Sequence, residues 1–254
     1  MRKAERQNYI LETLFQKSFI DVTEIQQHCR VSPITARRDL DELAERELLL
    51  RTHGGAIKKE TAQNLHQISE SLSSNIEQKI KISKLAANFI ENHDAVLLDS
   101  GTTVYHLCRF IKEKTNLQVI TNSLPVASEL LKSPEIKVFL IGGEVFQDRM
   151  ATYGPIASEH IAQYHVKKAF IGTDGISLQR GLTVRDVNEA TRIKAMIDAA
   201  DEVYLLCDSS KIESNSLFKL APLSAVNYLV TDGGIKNEVA KKYRKSGINV
   251  FIAD

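Results

Sequence analysis

Seven short apolar segments alternate with segments of helical periodicity over the larger, C-terminal part of this 254-residue sequence. Helical spacing lies around 104–112, 123–132, 156–164, 188–200 and 237–246. Because parallel strands need crossover connections, which are usually helices, the alternation predicts an α/β domain with a parallel sheet covered on both faces. The apolar segments are AVLLD (95–99), LQVIT (117–121), KVFLIGG (137–143), KAFIG (168–172), EVYLLCD (202–208), NYLVTD (227–232) and INVFIAD (248–254).

The first 57 residues have a different pattern, which predicts three helices and a β-hairpin. Apolar residues on one helical face predict a first helix over 3–17. Thr23 and Gln26 have the spacing of a capping box at the start of a second helix. Ser32 and Pro33 are typical of the cap and first residue of a third helix, which we expect to run to about residue 47. LLLRTHGGAIKK (48–59) then predicts two strands joined at a Gly-Gly turn.

The polar segment 58–74 has no strong period and predicts a connection between two domains. We therefore expect a small domain of three helices and a hairpin over 1–57, a linker over 58–74 and an α/β domain over 75–254.

Composition excludes several classes of protein. Lys and Arg number 33 against 32 for Asp and Glu, so a net charge of +1 gives no global reason to expect nucleic acid or an anionic membrane as a partner. The N-terminus MRKAERQNYI lacks the apolar segment of an export signal, and no later segment is long enough to span a bilayer. Cys29, Cys108 and Cys207 lie far apart, which predicts neither disulfides nor a zinc site. We expect a cytoplasmic protein without metal or cofactor.

The third predicted helix leaves Thr35, Arg37 and Arg38 near its outer N-terminal end, provided that its apolar residues face inward. In a helix-turn-helix unit this end meets base edges and phosphates, for which arginine and hydroxyl groups are suited. Arg51 and His53 in the predicted hairpin would form a wing beside it. The apolar residues expected to face inward are Ile34, Ala36, Leu40 and Leu43.

A solvated helix surface is the alternative for the two arginines. Several acidic residues follow them and could pair with them, in which case no DNA contact would be implied. The predicted hairpin favours the DNA-binding interpretation. The acidic residues are Asp39, Asp41, Glu42, Glu45 and Glu47.

Polar or glycine-rich residues follow several predicted strands, where ligands bind in open α/β sheets and where helix N-termini favour phosphate. DSGTT (99–103) follows AVLL in this position, although an ordinary Ser/Thr cap is the alternative for this segment alone. The further strand ends TNS (121–123), IGGE (141–144), GTDG (172–175) and CDSSK (207–211) favour a pocket. The candidate anion-binding residues are Asp99, Ser100, Gly101, Thr102, Thr103, Gly142 and Gly143.

VSPITARRDLDEL (31–43) followed by LLLRTHGGA (48–56) resembles the N-terminal signature of the DeoR family of bacterial transcription regulators. The resemblance extends over nearly the whole chain, because the downstream alternation is similar to the sugar-phosphate-sensing domain of that family. It implies a winged helix-turn-helix domain that binds double-stranded operator DNA. The implied DNA contacts are Thr23, Ser32, Thr35, Arg37 and Arg38, and we expect loss of either arginine to weaken operator binding by about 1–3 kcal/mol.

Sensor domains of this family are similar in fold to ribose-5-phosphate isomerase and glucosamine-6-phosphate deaminase. The resemblance implies that residues 100–103 hold a phosphate and that Asn122, Asp174, Glu189 and Lys211 surround the sugar. Each has a simpler alternative: Lys211 could be a solvated lysine after a strand, Asp174 a turn cap before Gly175, and Glu189 a carboxylate that complements a helix dipole.

These features predict a transcription regulator, a repressor of a carbohydrate-catabolism operon whose operator affinity is controlled by a phosphorylated sugar. We expect a homodimer or homotetramer, since most such regulators bind paired half-sites. The alternative is a sugar-phosphate isomerase or amino-sugar-phosphate deaminase with an accessory N-terminal domain, in which Asp174, Glu189 and Lys211 would move protons. A DNA-binding unit is of no use to such a catalyst, so we expect no catalytic residues.

Overall fold

The computed structural model describes residues 1–17, 19–46, 48–58 and 75–254. The chain divides into two compact units, Met1–Ser71 and Leu72–Asp254. All but the first residue of the predicted linker 58–74 lies outside the described residues, so the linker stays a prediction.

The N-terminal unit consists of three helices and a small antiparallel sheet, in the strand order β1-β3-β2. The predicted hairpin is present, and the sheet adds a strand, β1, that the sequence did not predict. Ile10, Ile25, Leu40 and Leu43 are fully buried in the core that these elements share. The elements are α1 (Lys3–Lys17), β1 (Phe19–Asp21), α2 (Val22–Cys29), α3 (Pro33–Glu45), β2 (Leu49–Arg51) and β3 (Gly55–Lys58).

The helix starts follow capping chemistry, with one correction to the prediction. Ser32 caps α3, because its hydroxyl accepts a hydrogen bond from the backbone N–H of Thr35 at 3.2 Å. The cap of α2 is Asp21 rather than Thr23: the Asp21 carboxylate accepts from the N–H of Glu24 at 2.6 Å. A carboxylate two residues earlier is the better acceptor for these amides, and Thr23 lies exposed inside the first turn.

The C-terminal unit contains a seven-stranded, fully parallel sheet in the order β15-β14-β12-β9-β4-β5-β6. These seven strands are the seven predicted apolar segments, and the five predicted helices lie between them. The elements are α4 (Ile76–Ala86), β4 (Ala95–Leu98), α5 (Thr102–Ile111), β5 (Leu117–Thr121), α6 (Leu124–Leu130), β6 (Ile136–Leu140), β7 (Glu144–Phe146), β8 (Ala151–Tyr153), α7 (Pro155–Ile161), β9 (Val166–Ile171), β10 (Gly175–Ser177), β11 (Gly181–Val184), α8 (Val187–Asp198), β12 (Ala200–Leu206), β13 (Phe218–Ala221), β14 (Tyr228–Asp232), α9 (Asn237–Lys245) and β15 (Asn249–Ala253).

Both faces of the parallel sheet are buried. In β4, Val96 and Leu98 point into one apolar cluster with residues of α4, α5 and α6. Leu97 points into the other cluster, with residues of α7, α8 and α9. This alternation within one strand explains why the sequence shows continuous apolar runs instead of alternating ones.

The strand order reverses direction in the middle of the sheet. From β4 the chain continues through β5 to β6 on one side, and then through β9, β12, β14 and β15 on the other. The carboxyl ends of β4 and β9 therefore flank a topological switch point, where open α/β sheets bind their ligands. The loops at 99–103 and 172–175 lie at these two ends.

Three smaller features of this unit were not predicted. They are helix α4, the antiparallel pair β7–β8, and the three-stranded sheet β10-β11-β13. Among the helices that the structure describes, none has the length and apolar character needed to cross a membrane.

Candidate functional site

The outer face of α3 carries two exposed arginines, and two of the acidic residues near them, Asp39 and Asp41, are engaged elsewhere. Asp39 is buried and accepts hydrogen bonds from Nε and Nη2 of Arg6, at 2.6 and 3.0 Å. Asp41 accepts from Nε of Arg51 at 2.7 Å. These two carboxylates are therefore not available to neutralise Arg37 and Arg38.

Arg38 and Arg37 differ in their remaining partners. Nε of Arg38 lies 3.7 Å from Oε1 of Glu42, but the Arg38 side chain is 81% exposed and Glu42 also pairs with Lys3. Within the described part of the chain Arg37 forms no salt bridge, and it is exposed. Since exposed ion pairs contribute little, both guanidinium groups can bind a phosphate or a base.

Some of the remaining predicted DNA contacts are exposed, and others form hydrogen bonds within the protein. The hydroxyls of Ser32 and Thr35 lie 2.9 Å apart in the cap of α3, and Thr23 is exposed. Arg51 joins the hairpin to α3, because it donates to Asp41 and to the carbonyl of Gly55. His53 lies exposed in the turn of the hairpin.

Gly55 fixes the hairpin against the rest of its sheet. A Cβ atom there would lie 2.0 Å from the carbonyl oxygen of Ile20, which no side chain tolerates. A Cβ on the neighbouring Gly54 would meet nothing within 4 Å. The close approach of β1 and β3 therefore requires glycine at 55 but not at 54.

In the C-terminal unit, Asp99 at the end of β4 is engaged by the protein itself. Its buried carboxylate accepts from the N–H of Gly172 at 3.0 Å and pairs with Nη1 of Arg192. Burial alone would raise the pKa of Asp99, but the Arg192 charge and the Gly172 amide outweigh burial and lower it. This carboxylate thus ties the ends of β4 and β9 to α8. Its contact with a ligand stays a prediction.

The loop after Asp99 leads directly into the N-terminus of α5. Gly101 is the cap residue and offers no side-chain acceptor, so the first-turn N–H groups are not capped by a side chain of that residue. Ser100, Gly101 and Thr102 are half-buried, whereas Thr103 is buried and its carbonyl accepts from the Ser83 hydroxyl at 2.7 Å. This arrangement suits an anion at residues 100–102.

Two lysines add positive charge on this side of the site. Lys211 donates to the carbonyl of Thr173 at 2.9 Å, at the end of β9. Lys79 of α4 is buried, and its pKa is lowered by burial and by the charge of Lys211, against the opposing charge of Asp208. Two ammonium groups at the ends of the strands provide positive charge that suits a bound anion.

The turn that carries Lys211 is held by two carboxylates. Asp208, which is buried, accepts from the N–H of Ser210 at 3.2 Å. Asp232 at the end of β14 accepts from the N–H and the hydroxyl of Ser209, at 2.7 and 2.9 Å. Both strand ends therefore fix the position of Lys211 relative to the sheet.

A second wall of the site contains buried polar atoms without hydrogen-bond partners. Within the described residues these atoms are Nε and Nη2 of Arg192, the hydroxyl of Tyr153 and Oε2 of Glu189. The guanidinium of Arg192 stacks on the Tyr153 ring at 5.0 Å, and Nη2 of Arg149 lies 3.5 Å from Oε2 of Glu189. Buried donors without hydrogen-bond partners are costly, so the free N–H groups of Arg192 and the Tyr153 hydroxyl are suited to bind a polar ligand.

Glu189 and its neighbours form the acidic part of this wall. Burial raises the pKa of Glu189 and nearby Asp174 and Asp99 raise it further, while Arg149 and Arg192 oppose the shift. Asn122 is buried, donates to the carbonyl of Thr152 at 3.0 Å and lies 3.4 Å from Nη1 of Arg192. The structure thus brings Asn122 and Glu189 into one cluster, with Asp174 close enough to interact with Glu189 electrostatically.

Gly142 and Gly143 have structural roles. The Gly142 N–H donates to Nδ1 of His160 at 3.2 Å. Gly143 has a φ of 149°, and a Cβ there would lie 2.6 Å from the carbonyl oxygen of Tyr153. Glycine at 143 is therefore explained by the close approach of backbone, without a ligand.

The sequence alone did not point to Lys79, Arg149, Tyr153 or Arg192. Lys79 and Arg192 each carry a charge at an inward-facing helical position, and both are buried. A charged residue in the apolar pattern of a helix was the available signal for them. Arg149 and Tyr153 belong to the β7–β8 region, which the apolar pattern did not reveal. Within the described chain, no group of three or more His, Cys, Asp or Glu residues could hold a metal ion.

Two family models match this chain. Residues 6–62 match the DeoR-like helix-turn-helix domain, and residues 74–233 match the DeoR C terminal sensor domain. The two matches cover the two compact units in the expected order.

Individual proteins align over most of the chain. It is 34% identical over 254 residues to the HTH-type transcriptional repressor GlcR of Bacillus subtilis (strain 168), covering 100% of this chain and 98% of that relative. It is 31% identical over 232 residues to the glycerol-3-phosphate regulon repressor of Escherichia coli (strain K12), covering 91% and 92%. Among solved structures, ribose 5-phosphate isomerase from Plasmodium falciparum aligns with a TM-score of 0.38 and 16% identity, over 54% of this chain and 55% of that chain.

Proposed function

Since this chain belongs to the DeoR family of transcriptional regulators, we propose that it represses a carbohydrate-catabolism operon and that a phosphorylated sugar controls its affinity for the operator. The repressors GlcR and the glycerol-3-phosphate regulon repressor, which align over nearly their full lengths, support the first part. The polar cluster at the switch point of the sheet supports the second. Because a bacterial repressor acts on chromosomal DNA, we expect this protein in the cytoplasm.

The DNA-binding half of the proposal assigns the N-terminal end of α3 to the major groove. Arg37 and Arg38 would contact bases and phosphates, and the cap residues Ser32 and Thr35 would contact the backbone. Thr23 at the start of α2 and His53 in the hairpin turn are exposed where they could reach neighbouring phosphates. Arg51 contributes by fixing the hairpin to α3, in addition to any contact that it makes with DNA itself.

The effector half is carried by one observation: the buried side chains of Arg192 and Tyr153 and the half-buried Glu189 place polar atoms without hydrogen-bond partners near the carboxyl ends of the strands. Arg192 and Tyr153 can donate hydrogen bonds, and Glu189 can accept one, which is the combination that recognises sugar hydroxyls. Lys211, Lys79 and the N-terminus of α5 provide the positive charge that a phosphate requires. We therefore assign the phosphate to the lysine side of the cluster and the hydroxyl groups to the side of Arg192 and Glu189.

Control of DNA binding requires that the effector bind one state of the protein more tightly than the other. The difference between the two effector affinities sets the upper limit of the change in operator affinity. We expect the protein to bind paired half-sites as a homodimer or homotetramer, with the DNA-binding domain within 1–57, the linker within 58–74 and the sensor domain within 75–254.

The alternative function is a sugar-phosphate isomerase or amino-sugar-phosphate deaminase. The relatives named above do not support it, because they are named as repressors and align with this chain over nearly their full lengths. An assay of the full chain with ribose 5-phosphate tests this point, because steady turnover would require an enzymatic interpretation. The proposed regulator binds its ligand without turnover.

A thermal-shift screen tests the effector proposal. A ligand that binds only the folded state at 100 times its dissociation constant stabilises it by about 2.7 kcal/mol. We expect at least one sugar phosphate to raise the unfolding midpoint, and the corresponding unphosphorylated sugar to leave it unchanged. Lys211→Met should abolish the shift, while Lys194→Met, at an exposed lysine that pairs with Asp198, should retain it. If no sugar phosphate shifts the midpoint, or if Lys211→Met responds like the wild type, the effector proposal fails.

A further inference from the structure

Ile34 in the first turn of α3 has an environment that differs from the sequence-based expectation. The apolar pattern predicts that it faces inward, but the residue is 76% exposed. The prediction was wrong because the buried face of α3 is set by Ala36, Leu40 and Leu43, all of which are fully buried. Each residue advances about 100° around a helix, so Ile34 points about 200° away from Ala36.

The neighbours of Ile34 on the outer face are the two arginines. Arg37 and Arg38 are three and four residues further on, which places them on the same side of the helix as Ile34. The outer face of the first two turns therefore presents an apolar side chain next to two guanidinium groups. A single exposed isoleucine is common in proteins and by itself indicates nothing. Ile34, however, lies between the cap residue Ser32 and the two arginines, on the helix that we assign to the major groove. We therefore expect its partner to be a base of the DNA.

The major groove offers one apolar group to such a side chain, the 5-methyl group of thymine. We propose that Ile34 is a specificity-determining residue that contacts the 5-methyl group of a thymine in each operator half-site. The inference rests on the proposed DNA-binding function and adds a chemical preference that arginines alone do not provide. Arginine selects guanine through two hydrogen bonds, whereas isoleucine selects thymine by burial of apolar surface.

The helix geometry also limits where this thymine lies. Ile34 and Arg37 are separated by about 4.5 Å along the helix axis, at about 1.5 Å per residue. Successive base pairs are about 3.4 Å apart. The thymine contacted by Ile34 and a guanine contacted by Arg37 should therefore lie within about two base pairs of each other.

The first step of the test is selection of a high-affinity duplex from random DNA by the full-length protein. Each thymine of the selected half-site is then replaced in turn by deoxyuridine, which removes the 5-methyl group and leaves every hydrogen-bonding atom in place. Loss of one such apolar contact should weaken binding about fourfold. Fluorescence anisotropy titrations at fixed ionic strength measure the affinities.

A double-mutant cycle connects the thymine to Ile34. We expect Ile34→Ala to weaken binding to the thymine duplex by about four- to tenfold, and deoxyuridine at the contacted position to add less than about a factor of two in that variant. Ile34→Val, which keeps a shorter branched side chain, should retain part of the preference for thymine. Phe19→Ala removes another exposed apolar side chain of the same domain, outside α3, and should retain the full thymine preference.

The inference is overturned if the deoxyuridine effect at every position is the same in the wild type and in Ile34→Ala, or if the selected half-site contains no thymine within reach of the arginine-contacted base. Selection that enriches no sequence would overturn both the inference and the DNA-binding function on which it rests. A selected sequence without the coupling would overturn the inference alone. Because the Ile34 side chain is exposed, its removal should leave the unfolding midpoint unchanged, so a loss of affinity is not a loss of fold.

Discussion

The buried pair of Asp99 and Arg192 should dominate the stability of the sensor domain. Asp99→Asn removes the negative charge and places an amide NH₂ against either Arg192 or the N–H of Gly172. The side chains of Arg192 and Asp99 are 0% and 3% exposed, so the remaining guanidinium stays in a region from which water is excluded. Breaking a buried pair by removal of one partner costs about 3–5 kcal/mol. This is a large part of the 5–15 kcal/mol that is typical of the total stability of a protein.

Urea unfolding followed by tyrosine fluorescence measures this loss. Six of the seven tyrosines lie in the C-terminal unit and the chain has no tryptophan, so the signal reports mainly on the sensor domain. With a slope of about 2 kcal/mol per molar urea, the midpoint should fall by about 2 M. Asp198→Asn is the matched control, because the pair of Lys194 and Asp198 is 62% and 60% exposed and its loss should cost at most about 0.5 kcal/mol.

The pH dependence and a second variant separate the charge from the shape of the side chain. The pKa of Asp99 is lowered in the folded state, so its stabilisation is present above the ordinary carboxyl pKa of about 3.9 and is lost as the pH falls through the lowered value. The difference between wild type and Asp99→Asn should therefore shrink at strongly acidic pH. Adding Arg192→Met to Asp99→Asn should recover part of the loss, since it removes the uncompensated charge. If Asp99→Asn costs no more than Asp198→Asn, the reasoning about this pair is refuted.

Three further substitutions test other parts of the account. Glu189→Gln should stabilise the unliganded protein by about 1 kcal/mol at neutral pH, because burial raises the pKa of this carboxyl and makes its ionised form costly. In chemical denaturation at several pH values, the gain in stability should grow as the pH rises above about 4.3 and vanish below it. A gain that does not depend on pH would contradict this. Arg37→Ala should weaken operator binding by about 1–3 kcal/mol in an anisotropy titration, whereas Arg46→Ala, at the C-terminal end of α3, should not. Equal effects of the two substitutions would contradict a direct contact between Arg37 and the operator. Gly55→Ala should destabilise the N-terminal unit by about 1–3 kcal/mol in thermal unfolding, because a Cβ atom there meets the Ile20 carbonyl, whereas Gly54→Ala should be tolerated. Similar unfolding midpoints for the two variants would show that β1 and β3 can move apart at no cost.

The parallel sheet was predictable because its strands are buried on both faces. Continuous apolar runs such as AVLL and KAFIG, separated by helical segments, leave few other folds possible, and the structure contains all seven strands. The helix-turn-helix was equally predictable from Ser32, Pro33 and the spacing of Ala36, Leu40 and Leu43. In both cases local sequence preference and burial point to the same structure.

The sequence pattern was least informative for buried residues that do not belong to the apolar core and for apolar residues that do not lie in it. Lys79 and Arg192 occupy inward positions of helices α4 and α8, so their charges interrupt the apolar pattern at the place where the strand ends meet. The pairing of Asp99 with Arg192 could not be foreseen from the sequence, because the two residues are 93 positions apart. Ile34 was assigned to the core because isoleucine is usually buried, yet the helix register turns it outward. The strand ends could be located from the sequence, but the side chains that converge on them come from distant elements and become apparent only in the fold.

The most direct test of the central claim measures operator affinity and effector binding in the same full-length chain. The selected duplex is titrated by anisotropy with and without the sugar phosphate that raises the unfolding midpoint, and the effector affinity is measured with and without the duplex. The account predicts that the effector changes operator affinity, that the duplex changes effector affinity by the same factor, and that Lys211→Met removes both changes while the basal operator affinity stays. An operator affinity that is identical at zero and saturating effector would contradict it.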